Sequence, residues 1–160
     1  MHNTQSDIEH LKKTLQLAEN GAGRGDGGPF GAIIVKDGQI VSEAWNTVIA
    51  DNDPTAHAEI NAIRLASKTI GHFHLSGCTL YASSEPCPLC LSATYWAKID
   101  RIVFANSKQE AARIGFSDQE LYAELTLPLS QRTIPTHQIE IDHSKDVLDR
   151  WAVRKDKIVY

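Results

Sequence analysis

One imidazole and two thiols are spaced along this chain as zinc ligands are. His57 stands in the run His57-Ala58-Glu59, and Cys87 and Cys90 stand in Pro86-Cys87-Pro88-Leu89-Cys90. Three such ligands hold zinc and leave its fourth position to a water, whose pKa the metal brings down to about 7. Glu59 is a carboxylate beside the ligands, suited to moving protons rather than binding metal. The chemistry on offer is hydrolysis with proton transfer.

Spacing says where these residues belong. Cys87 and Cys90 are three apart, so at the start of a helix they share a face. The positive end of that helix favours the thiolates zinc requires. His57 is expected in the first turn of a second helix. Residues 57 and 59 lie about 200° apart on an ideal helix, so they can meet one metal only near a helix end.

The rival reading is a closed zinc knot, with Cys78, His72 or His74 as the fourth ligand. No second C-x-x-C accompanies the first, and Glu59 would then have no task. Cys78 reads most simply as a small buried residue before a strand. The remaining histidines, His2, His10, His137 and His143, show no ligand spacing.

Elements must hold these groups in place. Ser6-Asp7-Ile8-Glu9 reads as a capping box opening a helix with Ile8, Leu11, Leu15 and Ala18 on one stripe. The glycine-rich stretch from Gly21 to Gly28 reads as loop, without the pattern of a phosphate-binding loop. Asp37-Gly38 between two apolar runs marks a hairpin. A helix is expected from Asp53-Pro54-Thr55, then a strand at Thr79–Ser83, a helix from about Cys87, and a strand at Arg101–Ala105. A further strand is expected at Gln138–Ile141, then a helix carrying Val147, Leu148 and Trp151. Strand–helix–strand alternation after a hairpin implies an α/β three-layer fold, helices covering both faces of a mixed five-stranded sheet. The three tryptophans read as packing residues.

At 160 residues the chain is the size of a single domain. Sixteen basic against twenty acidic residues give a net charge of −4, which argues against the broad basic surface of a nucleic-acid binder. No apolar run approaches the roughly 20 residues of a membrane span. Three cysteines and a polar amino terminus without a signal pattern suit a reducing compartment, so cytoplasm is the expectation.

The H-x-E…P-C-x-x-C pattern is that of the zinc-dependent base deaminases. With Asn46 and the run from Asp53 to Glu59, the chain resembles the cytidine-deaminase superfamily, and within it the bacterial guanine deaminases. The likeness extends through Gly28-Pro29-Phe30-Gly31-Ala32, Tyr95-Trp96-Ala97, Gly115-Phe116-Ser117-Asp118, Arg132-Thr133-Ile134-Pro135 and the terminal Tyr160. Ser84 is a departure, since relatives often have another small residue or cysteine there, and it does not touch the ligand set.

The resemblance implies a cytidine-deaminase-like fold and one zinc per chain on His57, Cys87 and Cys90, with Glu59 as proton shuttle. It implies hydrolytic deamination of guanine to xanthine and ammonia. Asn46 and Asp118 would contact the purine. Tyr160 would close the pocket from the partner subunit of a homodimer, the segment from about 128 to 160 being exchanged between subunits.

Each auxiliary residue also has a plainer reading. Asn46 can be a turn former, Asp118 a helix cap, Phe30 core rather than a base-stacking platform, and Tyr160 a pin for its own tail. Functional rivals are a tRNA adenosine deaminase, another small-nucleobase deaminase, and a catalytically silent zinc-binding module. Glu59 distinguishes the last, since a structural site needs no carboxylate there.

Overall fold

Residues 4–159 are described by a computed structural model, and they fall into two compact units that meet in sequence at Asp118/Gln119. Tyr160 lies outside the described residues.

The first unit is built on a hairpin. Asp37 (φ 50°) and Gly38 (φ 75°) turn β1 (Gly31–Lys36) into β2 (Gln39–Trp45), as the Asp-Gly pair predicts. β1 also pairs antiparallel with β3 (Cys78–Ser84), and β3 pairs parallel with β4 (Arg101–Asn106). The sheet order is β2-β1-β3-β4. β2 and β3 therefore run the same way without being neighbours, because β1 lies between them and opposes both. Their carboxyl ends share one edge of the sheet, and the segments following them form the site.

Helices cover both faces, as expected. On one, α1 (Thr4–Arg24) sets Leu17 against Ile33, Val35 and Tyr81. On the other, α2 (Ala58–Ile70) buries Ala58, Ala62 and Ala66 with Ala32, Ile34, Leu75 and Leu80. The fully buried Cys78 belongs to this core, as its sequence position suggested. α3 (Pro88–Trp96) packs against α2.

Several expectations change. α1 runs from Thr4, so Ser6 is inside the helix rather than capping it, and Asp7 instead reaches Tyr81 and Arg101. The same helix continues through Gly21 to Arg24, where a loop was expected. Gly21 is needed because a Cβ there would lie 2.3 Å from the Trp45 ring. The buried stripe is Thr14, Leu17, Ala18 and Gly21, whereas Ile8 and Leu15 are exposed. Trp96, expected as a packing residue, is largely exposed on α3.

Among the described residues the sheet has four strands, not five. After β4 come α4 (Lys108–Arg113) in the first unit, then α5 (Gln119–Thr126), a 3₁₀ turn (Leu129–Gln131) and α6 (Ser144–Ala152) in the second. Gln138–Ile141 alternates polar and apolar residues as a strand would, yet no strand forms among the described residues of its unit, and a lone strand has no partner to hold it. Ile139 and Ile141 stay exposed.

Candidate metal centre and base pocket

α2 begins at Ala58, not near Pro54, and His57 is its N-cap with extended backbone (φ −67°, ψ 154°). The expected start fails because residues 53–56 are tied elsewhere. Asp53 Oδ1 accepts from the Thr55 N–H at 2.7 Å in a side-chain turn, and the Ala56 carbonyl accepts from Thr47 N–H at 3.0 Å. Leaving His57 outside the helix resolves the angular conflict with Glu59, which sits in the first turn. Cys87 likewise caps α3 with extended backbone (φ −65°, ψ 169°), and Cys90 follows in its first turn. Two helix N-termini thus converge, each offering positive potential to thiolate.

His57 Nδ1 stands 3.5 Å from Sγ of both Cys87 and Cys90, and the three ligand atoms lie within 4.8 Å of one another. Zn–S of about 2.3 Å and Zn–N of about 2.0–2.1 Å at a tetrahedral angle require an N···S separation of about 3.5 Å. The residues fit zinc. Neither Cys78 nor His72 nor His74 joins this group, so a fourth protein ligand is not supplied by the residues considered for it.

The electrostatics agree. Hydrogen bonding with Cys90 lowers the Cys87 thiol to about 4 against the opposing effect of burial, with His57 helping. The Cys90 thiol is raised, first by Cys87 and then by burial. His57 is raised by its bond to the Cys87 sulfur. A divalent cation taking the centre of the triangle would displace protons from Cys90 and His57, as thiolate and imidazole ligation demands. Glu59 is buried, and that burial raises its carboxyl. A carboxyl held this way accepts and returns a proton readily.

Two of the other candidates, Asn46 and Phe30, lie at the same sheet edge. Asn46 follows β2, is buried, and donates its backbone N–H to the Phe30 carbonyl at 3.0 Å. Phe30 is half-buried beside the α2 core and meets Phe116 edge-on, ring centres 4.9 Å apart. That pair ties the Gly115–Asp118 segment to the Gly28–Gly31 segment. Asp118 is half-buried at the end of the first unit. Tyr160 lies outside the described residues.

Two positioning groups were not anticipated. The Asn61 side-chain amide donates to the Trp45 carbonyl, Thr47 Oγ1 and the Ala56 carbonyl, at 3.1, 2.9 and 3.3 Å. It fastens the end of β2 to the residue before His57. Its signal was a polar residue between Ile60 and Ala62 on the buried side of a helix. Gly27, read as part of a loop, packs directly against Asn46.

The described residues include no helix long and apolar enough to cross a membrane. Residues 4–106 match the cytidine and deoxycytidylate deaminase zinc-binding region. A guanine deaminase of Bacillus subtilis is 46% identical over 94% of this chain and 96% of its own. A crystal structure of guanine deaminase from that organism superposes with a TM-score of 0.93, covering 100% of this chain and 99% of that one at 42% identity. A tRNA-specific adenosine deaminase of Haemophilus influenzae is 38% identical over 70% of this chain and 65% of its own. The two motifs that form the metal triangle lie inside the matched region, and the likeness continues on both sides of them: the chain belongs to the cytidine and deoxycytidylate deaminase family.

Proposed function

We propose that this protein hydrolyses guanine to xanthine and ammonia, with one zinc ion per chain on His57, Cys87 and Cys90. The observation that carries the reading is a buried Glu59 beside a three-ligand triangle of zinc dimensions. The choice of guanine rests on the near end-to-end likeness to the Bacillus subtilis enzyme.

Zinc bound there would supply a nucleophilic water at neutral pH. The chain does the rest. Glu59 takes a proton from the attacking water and delivers it to N3 of guanine, which makes C2 more electrophilic. It then takes the remaining proton from the oxygen added at C2 and passes it to the C2 amino group, which leaves as ammonia as the C2 carbonyl forms. Water and guanine thus become xanthine and ammonia with no other reactant. Asn46 and Asp118 bind polar groups of the purine, Asp118 accepting from ring N–H groups. Phe30 offers a ring face beside the base.

Among the described residues of the second unit, none is buried. A segment so small and so apolar at its surface needs a covering partner. This supports a homodimer in which the carboxyl-terminal segment is exchanged and Tyr160 closes the partner's pocket. Three free thiols suit the cytoplasm.

Deamination of adenosine in tRNA is the competing reading, favoured by the Haemophilus influenzae relative. A net charge of −4 gives it little support. Chelation tests the zinc chemistry. Metal-stripped protein should release no ammonia from guanine, and one equivalent of zinc per chain should restore release; full activity in rigorously metal-free protein would contradict it.

A further inference from the structure

The side chain of Asn46 is gripped from one side only. Its Oδ1 accepts the Gly28 N–H at 3.2 Å and the Val48 N–H at 3.2 Å. These are the acceptors those two backbone amides have among the described residues. The Asn46 Nδ2, by contrast, bonds to none of the described residues although the residue is buried. Turning the amide over would set two N–H donors against an NH2 group and lose both bonds, so the orientation follows from the network.

Gly27 completes the grip. A Cβ on Gly27 would lie 2.1 Å from Asn46 Oδ1 and 2.6 Å from the Asn46 carbonyl oxygen. Its backbone is not in the left-handed region, so what excludes a side chain there is the closeness of Asn46 rather than conformation. Gly28 continues the surface, since its Cβ position is crowded by Phe30 at 2.9 Å and Phe116 at 3.0 Å. Two candidate pocket residues, Asn46 and Phe30, therefore close on two adjacent glycines.

We infer that Gly27, with the backbone amides of Gly28 and Val48, is a positioning device that locks Asn46 as a hydrogen-bond donor, so that it reads an acceptor on the base: a carbonyl oxygen or an unprotonated ring nitrogen. The inference rests on the proposed reading of Asn46 as a substrate contact. It gives Asn46 and Asp118 opposite tasks, the amide reading an acceptor edge and the carboxylate reading N–H groups. A base must present both kinds of group to satisfy the pocket.

Four substitutions test this, the first being Asn46→Ala, which removes both amide atoms. Asn46→Asp keeps an oxygen for the Gly28 and Val48 N–H groups but replaces the free donor with an acceptor. Gly27→Ala keeps the donor but pushes it out of place. Gly23→Ala is the control, because a Cβ there meets nothing within 4 Å. Amide exchange and guanine kinetics are measured on zinc-loaded protein, with zinc content checked for each variant.

Gly28 and Val48 should be protected in the parent and in Asn46→Asp, and exchange about five- to tenfold faster in Asn46→Ala, the equivalent of one lost hydrogen bond. Equal exchange in parent and Asn46→Ala overturns the lock. Gly27→Ala and Asn46→Asp should raise KM for guanine about tenfold or more, with a smaller change in kcat and full zinc, while Gly23→Ala matches the parent. An unchanged KM in Asn46→Asp overturns the donor assignment even where Gly27→Ala fails to fold. A parent protein inactive on guanine would count against the proposed function instead, and the exchange result would still decide whether the lock exists.

Discussion

Replacing Glu59 with glutamine removes a buried group beside the metal triangle that can take up and return a proton, while keeping its shape. Glu59 is 8% exposed, and burial is the main cause of its raised carboxyl. The neutral amide carries no charge to desolvate, so Glu59→Gln should fold and shift stability by no more than about 1 kcal/mol. Catalysis is a different matter. A positioned proton donor or acceptor contributes about 10²–10⁴ in rate. Because Glu59 is assigned the water, the ring nitrogen and the departing amine in turn, the loss should fall near the top of that range. A loss of about 10³–10⁴ equals roughly 4–5.5 kcal/mol of transition-state stabilisation. The assay is xanthine formation at saturating guanine, with zinc measured by elemental analysis and folding by thermal melting. A glutamine variant with full zinc and kcat within tenfold of the parent would remove Glu59 from the mechanism. Loss of zinc would show that the carboxylate serves as a ligand instead.

Cys87→Ala and Cys90→Ala should each lose both bound zinc and guanine turnover, and a variant retaining stoichiometric metal and activity would break the triangle assignment. Asp7→Ala should cost about 1–3 kcal/mol in urea unfolding, because it strands the half-buried Arg101 guanidinium and the Tyr81 phenol that share its carboxylate. Glu43→Ala, which removes the more exposed ion pair with Lys13, should cost less than about 1 kcal/mol, and equal effects would contradict the reasoning. Burial, then the hydrogen bond to Asp7, pushes the Tyr81 phenol from its ordinary 10.0 up to about 12. Its folded-state value being raised, its contribution to stability should hold below pH 10 and disappear as pH climbs to about 12, a step that Tyr81→Phe should abolish in pH-dependent unfolding. Deleting Val159 and Tyr160 should depress turnover with zinc retained, and mixing that protein with a zinc-site variant should restore activity only when the tail acts across a dimer. Unchanged kinetics on a folded dimer would leave Tyr160 without a role.

The metal triangle was legible because its determinants are local. A C-x-x-C at a helix start shares a face by geometry alone, and the Asp37-Gly38 turn is set by backbone preference. What escaped the sequence depends on distant partners. Pro54 looked like a helix start, but Thr47 and Asn61 hold Ala56 in a turn and delay α2 to Ala58. Gly21 looked like loop because only the Trp45 ring, brought alongside by β2, explains a glycine in that helix. Gln138–Ile141 had the alternation of a strand without a partner strand among the described residues of its unit. Asn46 could be seen as a candidate, yet which of its two amide atoms the backbone takes up became visible only with the Gly28 and Val48 amides in place.

Substrate choice is the most direct test. Zinc-loaded protein would be given guanine, adenine, cytosine, cytidine and a tRNA stem-loop in parallel, with ammonia and deaminated product quantified and kcat/KM compared. Guanine should be consumed with equal amounts of xanthine and ammonia, at a kcat/KM at least about 100-fold above the others, since a mismatched polar group in a dry pocket costs about that much or more. Inosine formed efficiently in the tRNA, with guanine left untouched, would contradict the assignment and favour the tRNA deaminase reading.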